Sequence, residues 1–196
     1  RKNCKNCIGL NKMNLDLYKN IYLIGIGGIG MSALARYFNA KGKVVCGYDK
    51  LQSELCNDLE NEGINIHYSD EVDDIPEEIK KAEYNDILVI YTPAIPVDNK
   101  VFSFFVDKGF KVYKRAEVLG IISRKSFTIA VAGTHGKTTT STILAHILQK
   151  SGKETTAFLG GISRNYNTNL LLADKDDILI VEADEYDRSF LQIHAD

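Results

Sequence analysis

Two glycine-rich turns, each set between an apolar strand and a helix, constrain the fold of this chain more than any other feature. The first is GIGGIG at residues 25–30, after the apolar run NIYLIG, and the second lies in VAGTHGKTTT at residues 131–140, after SFTIAVAG. A strand that turns directly into a helix begins a strand–helix–strand unit, and such units build a parallel sheet covered by helices. The sequence therefore predicts two α/β units.

Strand-like and helix-like runs alternate along the chain, and the strand-like runs are continuously apolar. Strands of this kind are buried on both faces, as in a parallel sheet between helices. Residues 13–125 hold a complete series and predict a Rossmann-like parallel-sheet domain of ordinary size. Residues 126–196 hold two or three strands and one clear helix, too few to cover both faces of a sheet. We therefore predict here the incomplete N-terminal part of a P-loop-type α/β ATPase domain.

The helical runs also predict which side chains face the core. In SELCNDLENEG, Ser53 is the expected N-cap, and Leu55 and Leu59 are expected to point inward. The helix after the second glycine-rich turn is expected to bury four aliphatic side chains, those of Ile143, Leu144, Ile147 and Leu148.

The composition narrows the classes of partner. The 196 residues are 44% hydrophobic and 26% charged, with a formal net charge of -2. This near-neutral balance argues against nucleic acid or a membrane surface as partner, because both favour a basic excess. No apolar run approaches the ~20 residues that span a bilayer, and the N-terminal segment has no apolar stretch of signal-peptide length. We expect a cytoplasmic protein.

The N-terminal segment RKNCKNCIGLNK precedes Met13, a candidate for the native start, so residues 1–12 are interpreted as an upstream or added extension. Cys4 and Cys7 form a C-x-x-C pair, a spacing that occurs in zinc sites and in redox pairs. Because no second pair accompanies it and half a site binds zinc poorly, we expect neither role.

The first turn carries Gly25, Gly27 and Gly30 in the spacing G-x-G-x-x-G, and Asp49 follows about 20 residues later. Glycines in such a turn let backbone amides and the positive end of a helix approach a diphosphate, while the acid is placed to bind a ribose. The pattern does not distinguish NAD, FAD and a nucleoside-diphosphate sugar. A tight strand–helix turn without any ligand is the structural alternative.

The second turn carries Lys137 and Thr138 behind Gly136, with the backbone amides of residues 133–139 as an anion-binding nest. A lysine here neutralises β- and γ-phosphate charge, and a threonine hydroxyl binds magnesium. Glu182 ends the later strand-like run ILIVE, where an acid can hold nucleotide-bound magnesium. The alternatives are a strand-end carboxylate that caps a turn and, for His135 inside the loop, an ordinary surface histidine.

Four motifs then carry a family resemblance: GIGGIGMSALA, YTPAIP, AGTHGKTTT and EADEYDRSFL. Their order and spacing resemble the Mur ligases of peptidoglycan synthesis, over residues 14–196. The resemblance implies a Rossmann-like domain for a UDP-sugar, a central ATPase domain, and a C-terminal amino-acid domain beyond Asp196. His135 stands where ligases of later steps usually have asparagine, which implies either the alanine-adding branch or the branch that recycles murein peptides. EADEYDRSFL is more similar to the alanine-adding branch.

The resemblance implies an enzyme that uses ATP and Mg²⁺ to join L-alanine to UDP-N-acetylmuramate through an acyl phosphate. The implied ATP-binding residues are Gly133, Thr134, His135, Gly136, Lys137, Thr138 and Thr139. Among these, Lys137 and His135 are the candidate catalytic residues, and Thr138 with Glu182 are the candidate metal ligands. The implied UDP-sugar-binding residues are Gly25, Gly27, Gly28, Ile29, Gly30, Asp49, Thr92, Pro93 and Ala94. The family more often has serines near Thr92 and Pro93, so contacts made by those side chains depart from its pattern.

Two other classes of protein each account for half of the pattern. An NAD-dependent oxidoreductase would explain the first turn but would not explain the second turn or ILIVEADE. A P-loop NTPase that acts as a switch or transporter subunit uses the second turn and leaves the first without one. A ligase that needs both a bound diphosphate and a reacting triphosphate explains the whole chain.

Overall fold

The computed structural model describes residues 13–96, 98–183 and 190–196, so the predictions for Cys4 and Cys7 lie outside the described residues. The described chain divides into two compact units, one of residues 17–115 and one that combines the described residues after 115 with residues 13–16. The units change at residue 115, ahead of the predicted domain boundary at residue 125. No helix in the described part is long and apolar enough to cross a membrane.

The first unit is built on a five-stranded sheet in the order β3-β2-β1-β4-β5, and all four strand pairs are parallel. The strands are β1 (Asn20–Ile24), β2 (Val44–Tyr48), β3 (Asn65–His67), β4 (Ile87–Tyr91) and β5 (Val112–Lys114). The helices are α1 (Ile29–Ala40), α2 (Glu54–Asn61), α3 (Glu77–Lys80) and α4 (Lys100–Asp107). Short 3-10 turns cover Leu15–Leu17 and Val72–Asp74. The predicted Rossmann-like parallel sheet is confirmed.

The central strands of this sheet are buried on both faces. Residues 21–24 of β1 have no exposed surface, and residues 87–90 of β4 have at most 2%. Their continuous apolar character therefore follows from helices covering both sides of the sheet. The helices are tied to one another as well, since the nearly buried Arg36 of α1 makes a bidentate pair with Glu62 at the end of α2.

Helix α2 confirms its predicted cap and corrects one predicted core residue. The hydroxyl of Ser53 accepts a hydrogen bond from the amide of Cys56, as expected of an N-cap. Leu59 is fully buried, whereas Leu55 is only half-buried and Cys56 has no exposed surface. The helix presents the thiol to the core, because Cys56 packs behind the first glycine-rich turn.

The second unit contains a four-stranded mixed sheet in the order β6-β9-β7-β8. Its elements are α5 (Arg115–Ser123), β6 (Phe127–Ala132), α6 (Lys137–Lys150), β7 (Thr155–Ser163), β8 (Thr168–Leu171) and β9 (Ile178–Ala183). Strands β6, β9 and β7 are parallel, and β8 pairs antiparallel with β7 as a hairpin. The sequence analysis missed β8, because a four-residue run gives no periodic signal of its own.

The predicted inward face of α6 is half wrong. Leu144 and Leu148 pack against the core, but Ile143 and Ile147 are 54% and 57% exposed. The helix instead buries the small residues Ser141 and Ala145 against the sheet. Small side chains let the helix approach the strands closely, and Ser141 finds a polar partner on β9.

Gly47 in β2 offers a test of this packing. A Cβ atom at Gly47 overlaps the backbone carbonyl oxygen of Leu23 on the neighbouring strand, and backbone cannot move aside as a flexible side chain can. Gly47→Ala should lower the free energy of unfolding by about 3 kcal/mol, the upper end of typical overpacking costs. At Gly42, where φ is +73° and no atom lies within 4 Å of the added Cβ, Gly42→Ala should cost only about 1 kcal/mol of backbone strain. Urea unfolding of both variants measures the difference, and equal losses would contradict the packing described.

Candidate functional site

The first glycine-rich turn is fixed to the ends of two adjacent strands. Gly25 leaves β1 with a φ of +84°, a conformation that favours glycine. The amide of Gly25 donates to the carbonyl oxygen of Tyr48 at 2.7 Å, and the amide of Gly27 donates to Asp49 Oδ2 at 2.8 Å. The turn therefore sits at the carboxyl edge of the sheet, where parallel α/β folds bind their ligands.

Asp49, the predicted ribose-binding acid, has a structural task at this edge. Its Oδ2 accepts from the amide of Gly27, and its Oδ1 accepts from the amide of Leu51 at 3.1 Å. The carboxylate thus holds the glycine turn against the end of β2. A contact with ribose remains a prediction.

Side chains are excluded from this turn by its neighbours. A Cβ at Gly27 lies 2.5 Å from Cys56 Sγ, and one at Gly30 lies 2.9 Å from Arg115 Nη1. Packing against Cys56 and Arg115 therefore restricts the side chains that Gly27 and Gly30 could be replaced by. Arg115 brings its guanidinium beside the first turn of α1, and the sequence analysis missed it because it lies 85 residues after Gly30.

A cavity of about 920 Å³ opens in front of the turn. Six of the predicted UDP-sugar residues line it: Gly25, Gly27, Gly28, Asp49, Thr92 and Ala94. Three do not, since Ile29 and Gly30 begin α1 and Pro93 is exposed beside it. The lining also includes residues that the sequence analysis did not select, among them Lys50, Tyr68, Ser69, Asp70, Asp98 and Asn99. Only the fold shows these, because they come from the loops after β2, β3 and β4.

A chain of hydrogen bonds, called the relay below, runs from Tyr22 through His67 to Ser69 at one wall of this cavity. The phenol of Tyr22, fully buried on β1, lies 2.6 Å from His67 Nε2, and His67 Nδ1 lies 2.8 Å from the carbonyl oxygen of Ser69. Since a carbonyl only accepts, Nδ1 carries the proton and Tyr22 donates to Nε2. Ser69 lines the cavity, so the relay connects the sheet core to the ligand side.

The second turn has the geometry of a phosphate-binding loop. It joins β6 to α6 through Gly133, with φ of +150°, and Gly136, with φ of +77°. The first backbone hydrogen bond of the helix runs from the amide of Thr140 to the carbonyl oxygen of Gly136. The amides of residues 137–139 therefore have no partner inside the helix. Lys137 Nζ donates to the carbonyl oxygen of Gly133 at 2.8 Å and so lies across the loop. Amides without a partner inside the helix and an ammonium group thus lie together at the start of α6, which suits an anion.

The candidate metal ligands lie side by side at the head of this loop. Strands β6 and β9 pair Val131 with Glu182, which puts the carboxylate beside the start of α6. Thr138 Oγ1 lies 3.1 Å from Glu182 Oε2. Oxygens each about 2.1 Å from Mg²⁺ in neighbouring octahedral positions are about 3.0 Å apart, so this pair fits the ion. No cluster of three or more His, Cys, Asp or Glu able to hold a metal occurs among the described residues.

The remaining loop residues are open to solvent. Thr134, His135 and Thr139 are all exposed, and within the described part of the chain the imidazole of His135 makes no hydrogen bond. The catalytic role of His135 remains a prediction.

The relay behind the first cavity predicts a pH dependence of stability. Burial lowers the pKa of His67 below its usual 6.5, against smaller opposing effects of the hydrogen bond to the Ser69 carbonyl and of Asp74. The buried rings of Tyr22 and Tyr48 also face the imidazole. Between the lowered pKa and 6.5, the unfolded chain then binds more protons than the folded chain. The contribution of His67 to the free energy of unfolding is therefore fully present above pH 6.5 and is lost as the pH falls below it. Asparagine does not titrate, so this contribution should vanish in His67→Asn. The slope of the free energy of unfolding against pH should then decrease by up to about 1.4 kcal/mol per pH unit. Urea unfolding of the wild-type protein and of His67→Asn between pH 8 and pH 5 measures this difference in slope. Parallel stability profiles of the two proteins would contradict a neutral imidazole with a lowered pKa.

Known proteins share both loops. Residues 20–127 match the family described as Mur ligase family, catalytic domain, and residues 131–189 match the Mur ligase middle domain. The chain is 53% identical over 184 residues to a UDP-N-acetylmuramate–L-alanine ligase of Flavobacterium johnsoniae, covering 94% of this chain and 40% of that protein. It is 56% identical over 174 residues to the protein of the same name from Porphyromonas gingivalis, covering 88% of this chain and 37% of that one.

Solved structures agree with this assignment. UDP-N-acetylmuramate-alanine ligase MurC from Thermotoga maritima matches with a TM-score of 0.79 at 30% identity, over 90% of this chain and 39% of that one. A UDP-N-acetylmuramate:L-alanyl-gamma-D-glutamyl-meso-diaminopimelate ligase from Neisseria meningitides matches with a TM-score of 0.74 at 27% identity, over 87% and 54%. The chain spans about 40% of the length of the curated relatives it matches. With both of its domains matched in order, the chain belongs to the Mur ligase family.

Proposed function

We propose that the protein carrying this chain is an ATP-dependent ligase that joins L-alanine to UDP-N-acetylmuramate in peptidoglycan synthesis. The observation that carries the proposal is the convergence of Lys137, Thr138 and Glu182 at the second loop, in a chain whose first loop faces a separate cavity. Curated relatives at 50% to 56% identity bear the name UDP-N-acetylmuramate–L-alanine ligase, which supports this choice of substrates. Both substrates and ATP are cytoplasmic metabolites, so a cytoplasmic location is part of the proposal.

The first loop binds the UDP moiety in this proposal. The N-terminal end of α1 faces the diphosphate, because the amides of Gly25 and Gly27 are already bonded to Tyr48 and Asp49. The guanidinium of Arg115 lies beside Gly30 to balance the charge of the diphosphate. Carboxylates of Asp49, Asp70 and Asp98 also line the cavity. They suit the uncharged nucleoside, whose hydroxyl and ring N–H groups are donors, better than they suit phosphate.

The second loop binds the phosphates of ATP. Lys137 exchanges its bond to the Gly133 carbonyl for the phosphate oxygens, and the amides of residues 137–139 donate to them. Thr138 and Glu182 would hold Mg²⁺, which supplies further positive charge beside the β- and γ-phosphates when bound. This positive environment is concentrated where negative charge develops as the phosphoryl group moves.

The chemistry then proceeds in two transfers. A carboxylate oxygen of the lactyl group attacks the γ-phosphorus, the bond to ADP breaks, and an acyl phosphate forms. The amine of L-alanine attacks the acyl carbon, loses a proton to form the amide, and inorganic phosphate leaves with the oxygen that bridged carbon and phosphorus. Lys137 contributes to the first transfer by neutralising charge on the moving phosphoryl group.

The recycling branch of the family is the second candidate. The Neisseria ligase, whose name contains a tripeptide, matches this chain with a TM-score of 0.74 and so shares its two-domain fold. Both loops serve either ligase equally, because the two reactions share the UDP-sugar and ATP. The chain is 53% and 56% identical to two alanine ligases but 27% identical to the Neisseria ligase, which favours L-alanine as the amine.

The proposal is tested by removing the ammonium group from the second loop. In the intact protein, Lys137→Ala should lower the rate of ADP formation with UDP-N-acetylmuramate and L-alanine by about 10³-fold, a size typical of charges that stabilise phosphoryl transfer. Binding of UDP-N-acetylmuramate, measured by calorimetry, should stay near the wild-type value, because the first loop is separate.

Lys150 gives a matched control for that experiment, since it ends the same helix far from the loop. Lys150→Ala should retain wild-type turnover and binding. Near-normal turnover in Lys137→Ala would overturn the assignment of the second loop to ATP. A wild-type protein that forms ADP without needing the UDP-sugar would instead favour an NTPase switch.

A further inference from the structure

The two oxygens of the Glu182 carboxylate have different surroundings. Oε1 lies 3.0 Å from Ser141 Oγ and accepts from the amide of Gly160 at 2.7 Å. Oε2 faces the hydroxyl of Thr138 at 3.1 Å. One oxygen is therefore directed into the protein, and the other points to the head of the phosphate-binding loop.

The bond from Ser141 to the carboxylate is the favoured use of its single hydroxyl proton. The same hydroxyl also lies 3.1 Å from the carbonyl oxygen of Thr138, but that carbonyl already accepts from the hydroxyl of Thr142 at 2.6 Å. A charged carboxylate attracts a donor more strongly than a neutral carbonyl does. Ser141 has no exposed surface, so water does not compete for the proton.

Gly160 supports the same orientation independently. A Cβ atom at this position on β7 would lie 2.5 Å from Oε2 and 2.9 Å from Cδ of Glu182. Any side chain there displaces the carboxylate. The absence of a side chain at Gly160 and the donation from its amide thus act together on one group.

We propose that Ser141 and Gly160 are positioning residues that occupy Oε1 of Glu182 and leave Oε2 as the oxygen that binds Mg²⁺, so that Glu182 binds through one oxygen beside the Thr138 hydroxyl. This inference rests on the proposed function and adds to it. Oε2 lies beside the Thr138 hydroxyl, and both oxygens would then be available to hold the ion. Partners that orient a metal ligand typically change metal affinity by about 10- to 100-fold when they are lost.

The effect should appear in metal binding without turnover. In the intact protein saturated with a non-hydrolysable ATP analogue, Mn²⁺ affinity is measured by electron paramagnetic resonance as a substitute for Mg²⁺. Ser141→Ala should weaken Mn²⁺ binding by about 10-fold. Binding of the analogue in EDTA should be unchanged, because the loop amides and Lys137 hold the phosphates without the metal.

Ser151→Ala makes the same chemical change on the same helix and serves as control, since the Ser151 hydroxyl donates to the carbonyl of Leu148 at the far end. It should bind Mn²⁺ as wild type does. Gly160→Ala should reproduce the loss while leaving Ser141 in place, and it carries the test if Ser141→Ala does not fold.

The outcomes separate this inference from the proposed function. If the wild-type protein binds no Mn²⁺ with the analogue, the assignment of the second loop is wrong and the inference fails with it. If wild type binds Mn²⁺ and the Ser141 and Gly160 variants bind it equally well, only the positioning role is wrong. Equal losses with and without metal would show a general disturbance of the loop and would also overturn the positioning role.

Discussion

Parallel hydrogen bonding places the carboxyl ends of neighbouring strands at one sheet edge, and both candidate sites depend on it. In the first unit, Ile24 pairs with Tyr48 on one side and Tyr91 on the other, so the loops after β1, β2 and β4 meet around one cavity. In the second unit, Val131 pairs with Glu182, which brings the carboxylate to the head of the phosphate-binding loop. An antiparallel arrangement of these strands would send the same side chains to opposite edges.

The two loops differ in a way that matches the two tasks proposed for them. The first turn carries no lysine, and its neighbouring acid is bound to the backbone amides of Gly27 and Leu51. Such a loop suits a diphosphate that is held without being cleaved. The second loop adds an ammonium group, a hydroxyl and a carboxylate to its amides, which suits a phosphate on which charge changes during reaction. In the proposed function, the Rossmann-like unit holds one substrate and the second loop binds the ATP that is consumed.

Local patterns in the sequence predicted the elements that depend on neighbouring residues. Short motifs contain the glycine turns, Lys137, Thr138 and the Ser53 cap. Each motif therefore predicted the feature together with its flanking strand or helix. Contacts between residues far apart in the sequence could not be predicted. Ser141 and Gly160 contact Glu182, and Arg115 lies beside Gly30, across separations of 22 to 85 residues. The inward face of α6 was misjudged for a related reason. Ile143 and Ile147 continue the apolar pattern, yet the bond from Ser141 to Glu182 turns the small residues toward the sheet.

The central claim, that ATP activates the carboxylate of the UDP-sugar, is tested most directly by following an oxygen atom. UDP-N-acetylmuramate is labelled with a heavy oxygen isotope at both lactyl carboxylate positions and converted by the intact protein with ATP and L-alanine. Passage through an acyl phosphate transfers one labelled oxygen to inorganic phosphate in each turnover, which mass spectrometry detects. Amide formation accompanied by unlabelled phosphate would contradict the account, because the carboxylate would then have been activated without bonding to phosphorus.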